Sequence, residues 1–132
     1  MIIKYSINNI KDLKIKINKP SLIFSRWDLW AWKTTISKYI INNLLLNNSN
    51  VTSPTYTYYN KYNNIYHFDL YRLINYDEFF AIWAEDILDN NSWVIIIEWP
   101  ELIEKYYSPD IEIFLSKCDN EEERLIEIKY KK

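Results

Sequence analysis

The chain has 132 residues, 48% hydrophobic and 26% charged, which suits one compact domain over residues 1–132 with a core of its own rather than two domains or a disordered tail. Sixteen Lys and Arg against eighteen Asp and Glu leave a net charge of −2, without the basic excess that gripping RNA through its phosphates requires. The single Cys118 excludes an intramolecular disulfide and any cysteine metal cluster, and the absence of both an N-terminal h-region and a run of eighteen apolar residues predicts a cytoplasmic protein outside the membrane.

Short apolar runs rich in Ile and Tyr alternate with Asn, Pro and Ser clusters and with helical patterns, which predicts an α/β fold. Residues 2–7 and 21–25 read as strands. Residues 33–46 read as a helix, because Ile36, Ile40, Leu44 and Leu45 share one face. The segment from Trp27 to Trp32 is then a strand-to-helix loop. Residues 55–62 and 65–70 alternate like paired strands, 76–88 reads as helical, and 94–99 is the continuous apolar run of a buried central strand. Residues 111–116 and 124–130 read as a closing hairpin around a polar turn at 118–123, where Glu121, Glu122 and Glu123 face solvent. No repeat or linker interrupts the chain.

The loop carries the chemistry. It reads Trp27-Asp28-Leu29-Trp30-Ala31-Trp32-Lys33-Thr34-Thr35, and its strand, its helix and its Lys33-Thr34 match the setting of a phosphate-binding loop, G-x-x-x-x-G-K-[ST]. In such a loop successive backbone N–H groups wrap the phosphates at a helix N-terminus. Lys33 is placed to reach the β and γ phosphates of ATP, and the Thr34 hydroxyl to reach Mg²⁺. Both glycine positions of the pattern, 27 and 32, hold Trp. Glycine is required where φ is positive or the backbone must touch the ligand, so indole rings there obstruct the site.

Beyond the loop, Ser53-Pro54-Thr55-Tyr56-Thr57 is followed by an unbroken Tyr-His-Phe-Asp-Leu-Tyr-Arg-Leu from 66 to 73. Ile82-Trp83-Ala84-Glu85-Asp86 and Glu98-Trp99-Pro100-Glu101 come next. With the loop, these four motifs in this order resemble the TsaE (YjeE) family, the small P-loop ATPases of bacterial tRNA threonylcarbamoyladenosine synthesis. The resemblance spans residues 24–101. It implies a three-layer P-loop NTPase-like fold with a mostly parallel central sheet and antiparallel additions. It also implies ATP and Mg²⁺ as ligands and the TsaB–TsaD complex as partner, with tRNA reached only through that complex.

The resemblance assigns roles residue by residue. The nucleotide falls to residues 27–35, and catalysis to Lys33, Asp69 and Glu98. The metal falls to Thr34 and to Glu98, which ends the buried run as a Walker B acid does. Asp69 would poise the metal or the attacking water, and Thr55 and Thr57 would sense the γ-phosphate. Simpler readings stand beside these. Glu98 can cap a helix start at Pro100, Asp69 can pair with Arg72, and the threonines are good strand formers. His67, the only histidine, reads as structural. Tyr56, Tyr58, Tyr59, Tyr62 and Tyr66 read as sheet surface or partner contact rather than as a base-stacking platform.

One figure is abnormal. A typical glycine content of about 7% predicts roughly nine glycines, and the chain has none, while Trp appears six times. Trp27, Trp30, Trp32 and Trp83 stand where the family has glycine, and Trp93 stands in a turn where glycine is ordinary. Only Trp99 is expected. Such selective placement points to a codon read as Trp under one genetic code and Gly under another, with UGA the candidate. The rival readings are a pseudo-ATPase scaffold that has lost nucleotide binding and a small-molecule P-loop kinase. The kinase is disfavoured by a chain of only three Arg with no Arg-rich lid.

Overall fold

A computed structural model describes residues 2–6, 17, 21–27, 38, 41, 59–62, 65–70, 73, 75–81, 84–90, 94–117 and 123–131. Strands β1 (Ile2–Ser6), β2 (Ser21–Trp27), β3 (Tyr59–Tyr62) and β4 (Ile65–Asp69) precede two short helices, α1 (Tyr76–Ala81) and α2 (Ala84–Asn90). Strand β5 (Val94–Glu98), a 3₁₀ turn (Pro100–Leu102), β6 (Ile111–Lys117) and β7 (Glu123–Tyr130) complete the described elements. The strands form one sheet in the order β1-β7-β6-β2-β5-β4-β3. Its four central strands run parallel, and antiparallel pairs close both sides: β1–β7 and β7–β6 on one, β3–β4 on the other. The expected parallel sheet with antiparallel additions is therefore the observed one.

Strand β5 is the spine. All five of its residues are buried, as a strand flanked on both sides and covered on both faces must be. Burying each of Ile95, Ile96 and Ile97 contributes about 1.5–3 kcal/mol relative to exposure. The two faces carry separate cores. On one, Ile23, Ile65, Val94, Ile96, Ile111, Ile113, Ile126 and Ile128 pack with Ile41, a helical residue of the segment that follows the loop. On the other, Phe24, Phe68, Ile95 and Ile97 pack with Phe79 of α1, Ile87 and Leu88 of α2, and Ile103. Ile41 thus lies against one face of the sheet, and α1 and α2 against the other.

Local chemistry pins the elements. Asn75 caps α1, its Oδ1 accepting the Glu78 N–H at 3.1 Å, and Asp77 and Glu78 add acid to the first turn where the helix dipole favours it. Asp110 aligns β6 with β2. Its carboxylate accepts the Leu22 N–H at 2.7 Å, its own N–H donates to the Leu22 carbonyl at 2.7 Å, and its carbonyl accepts from Lys131 at 2.8 Å.

Several boundaries move from the sequence reading. Strand β2 runs two residues past 25, because Arg26 and Trp27 keep pairing with Phe114 and Leu115 of β6. Trp27 therefore ends a strand rather than opening the loop. Its backbone is extended, a shape any residue adopts. The helical reading of 76–88 resolves into α1 and α2. Glu123, read as part of the solvated turn, opens β7 opposite Ser6 and is half-buried. Trp99 leaves β5 with φ 59° and ψ 59°. It is the only positive-φ residue among those described, and a costly one for a bulky side chain.

Candidate functional site

Alternation along the central strands decides what lies at their carboxyl ends. Register places Ser25 of β2 beside Glu98 of β5 and Glu98 beside Asp69 of β4. Side chains at matched positions of adjacent strands share a face. His67 lies two residues before Asp69 and so joins them. The face that carries the Ile96 core thus ends in four polar side chains: Ser25, His67 and Glu98 at 0% exposure and Asp69 at 9%.

Two carboxylates stand side by side in this patch, at the exit of the strand that leads into residues 28–35. The chain changes direction across the sheet here. From β2 it runs outward through β3 and β4, returns to β5, and then crosses β2 to reach β6. Open α/β sheets bind ligands at the carboxyl ends of strands beside such a reversal. Strands β4 and β5 remain paired to the edge of the site, the Leu70 N–H donating to the Glu98 carbonyl at 3.1 Å.

His67 Nε2 lies 3.3 Å from Glu98 Oε2, both side chains fully buried. No hydrogen bond reaches His67 Nδ1 or the Ser25 hydroxyl among the described residues. The sequence reading assigned Glu98 and Asp69 to this site and missed the other two. The signal for His67 was its spacing two before Asp69 in a strand, and for Ser25 the strand pattern itself, a polar residue at a core position.

Beyond Glu98 the chain crosses to the opposite face. Trp99 turns left-handed, its side chain packing against both cores, and Pro100 starts the 3₁₀ turn. There Arg26 collects three carboxylates: Glu104 at 2.7 Å, Glu112 at 3.0 Å and Glu101 at 3.4 Å. Its guanidinium also lies 5.8 Å from the Phe24 ring centre and 5.9 Å from that of Phe114. Partial burial opposes the Arg26 charge, but hydrogen bonds and attraction to Glu104 and Glu112 raise its pKa above the ordinary value.

Asp28, Leu29, Trp30, Ala31, Trp32, Lys33, Thr34 and Thr35, the residues expected to bind nucleotide, lie outside the described residues, as do Thr55, Thr57, Arg72, Trp83, Trp93 and Cys118. Of the tyrosines, Tyr59 and Tyr66 pack with Phe68, at 5.0 and 6.5 Å between ring centres. Both are half-buried on the sheet surface. Tyr56 and Tyr58 lie outside the described residues.

Oxygen donors on two adjacent strands suit a hard cation. Among the described residues no three His, Cys, Asp or Glu side chains gather into a protein-only metal cage. Mg²⁺ is ordinarily held by one or two carboxylates, with phosphate and water completing its shell, so Asp69 and Glu98 fit that ion. No described helix is long and apolar enough to cross a membrane.

The model of the family "Threonylcarbamoyl adenosine biosynthesis protein TsaE" matches residues 6–126. A tRNA threonylcarbamoyladenosine biosynthesis protein TsaE of Rickettsia typhi is 36% identical over 117 residues, covering 84% of this chain and 79% of that protein. Its counterpart in Rickettsia prowazekii is 33% identical over 123 residues, covering 89% and 84%. The crystal structure of YdiB from Bacillus superimposes with a TM-score of 0.58 over 96% of this chain and 83% of that one, at 23% identity. At that identity the likeness is one of fold.

Proposed function

The chain belongs to the TsaE family, and from that premise we propose that it is the ATPase accessory protein of tRNA N6-threonylcarbamoyladenosine synthesis, working as one domain over residues 1–132. The observation that carries this reading is the pairing of Asp69 with Glu98 at the carboxyl ends of adjacent parallel strands, beside the strand that feeds the phosphate loop. Like charges held side by side are unfavourable. They are retained where a cation and a polyphosphate are to be bound.

In this mechanism residues 27–35 cradle the phosphates of ATP through backbone N–H groups, and Lys33 reaches the β and γ phosphates. Thr34 and Glu98 would hold Mg²⁺, whose charge would stabilise the phosphoryl group in transfer. Asp69 orients the attacking water, and the surrounding core excludes bulk solvent, which strengthens each of these interactions. Hydrolysis resets a conformation read by the TsaB–TsaD complex, which acts on tRNA; Thr55 and Thr57 sense the γ-phosphate. This chain does not itself modify RNA.

Trp27, Trp30, Trp32, Trp83 and Trp93 are, in this reading, glycines of the natural protein. Position 27 needs a small residue for ligand approach rather than for φ, since its backbone is extended. The decisive experiment titrates fluorescent ATP, with Mg²⁺, into the chain as written and into W27G/W30G/W32G. The glycine form is expected to bind at least tenfold more tightly and to hydrolyse ATP slowly. Equal binding by the two overturns the codon reading, and absence of binding by both leaves the pseudo-ATPase scaffold.

A further inference from the structure

The imidazole of His67 has no part in the mechanism above, yet it is fully buried within 3.3 Å of the carboxylate that the mechanism needs most. A buried polar group without hydrogen bonds costs roughly 1–3 kcal/mol, and both ring nitrogens of His67 are in that condition among the described residues. A core role alone would be met more cheaply by Phe or Leu, as at neighbouring Phe68. We propose that His67 is a positioning residue: it carries its proton on Nε2 and donates it to Glu98 Oε2, fixing the carboxylate in the orientation that holds Mg²⁺. The inference rests on the assignment of Glu98 to the metal.

The geometry favours this role over a simple ion pair. His67 stands beside Ile96 in the β4–β5 register, one pair below Asp69 and Glu98. Its ring therefore approaches Glu98 diagonally, from the core side, and leaves the outer end of the strand to ligands. Hydrogen bonds to a carboxylate are ordinarily about 2.7–2.9 Å, so 3.3 Å is a loose contact, of the kind that tightens when a site is loaded. Groups that orient a metal-holding side chain typically change metal affinity or activity by about 10- to 100-fold when removed. His67 acts through Glu98 and touches neither the nucleotide nor the reacting water.

Because His67 is the only histidine, its ring nitrogens can be read individually by long-range ¹⁵N NMR in the intact chain. The expected result is a protonated Nε2 and a bare Nδ1, with the Nε2 signal displaced in E98Q. A proton on Nδ1 with bare Nε2, or an Nε2 signal unmoved in E98Q, overturns the proposal without reference to activity. A second arm compares H67Q with H67N. The Gln amide nitrogen takes the place of Nε2 and the Asn amide nitrogen that of Nδ1, while both side chains are neutral, polar and smaller than His. The Mg²⁺ concentration for half-maximal hydrolysis is expected to stay within threefold in H67Q and to rise at least tenfold in H67N, with nucleotide affinity in EDTA alike in the two. Equal Mg²⁺ dependence in H67Q and H67N overturns the role of His67 while E98Q remains inactive. Unaltered Mg²⁺ dependence in E98Q instead overturns the assignment of Glu98 on which it rests.

Discussion

Two acidic groupings lie within a few residues of each other on opposite faces of the sheet, and they obey different rules. On the outer face Glu101, Glu104 and Glu112 surround Arg26, with side-chain exposures from 29% to 54%. On the inner face Asp69 and Glu98 stand together at 9% and 0%, beside a buried imidazole and a buried hydroxyl. The outer grouping is neutralised by its own cation and washed by solvent, so each of its pairs is worth a few tenths to about 1 kcal/mol. The inner one holds two carboxylates at adjacent register positions out of water, where charge is costly unless it is paired.

The largest effect should follow from removing the inner charge. Glu98→Gln is expected to lower Mg²⁺-dependent hydrolysis on the order of 100-fold and to abolish the rise in melting temperature that Mg²⁺·ATP gives the parent chain. Retained turnover in a steady-state phosphate-release assay would collapse the distinction between the two faces. Asp69→Asn sharpens it. Relief of like charge at adjacent register positions should stabilise the nucleotide-free chain by about 0.5–1 kcal/mol in urea unfolding, while hydrolysis falls at least tenfold. A loss of both stability and activity would mean that Asp69 is a structural ion-pair partner. Arg26→Met gives the smallest change. The aliphatic stem is kept and three partly exposed pairs are lost, so stability should fall by about 1 kcal/mol, less in high salt, with the Mg²⁺ dependence of hydrolysis unchanged.

The strands could be read because their apolar residues follow simple periods. The run 94–99 has no polar break until Glu98, and the 111–116 and 124–130 segments read as a closing hairpin. Glu98 was accessible as the acid near the end of the apolar run, and Asp69 through the resemblance of the 66–73 segment to that of the family. His67 was not. Its significance lies in a diagonal contact between strands 31 positions apart in sequence, and no local period encodes cross-strand neighbours. The extension of β2 through Trp27 was hidden too, since pairing with Leu115 depends on β6 continuing beside it. Trp99 misled in the opposite sense. It sits in an apolar run like a further strand residue, but the Pro that follows starts a turn, and packing against both cores holds its backbone left-handed.

That left-handed residue works as a sorting device. Glu98 and Glu101 are three positions apart, and the reversal at Trp99 sends the first into a dry, low-dielectric interior and the second to the aqueous side, within 3.4 Å of Arg26. Inserting or deleting a single residue between them would break the assignment, as a one-residue slip exchanges the faces of a strand. Distance along the tetrapeptide, more than the identity of its acids, therefore sets which carboxylate is insulated and which is screened by the surrounding salt.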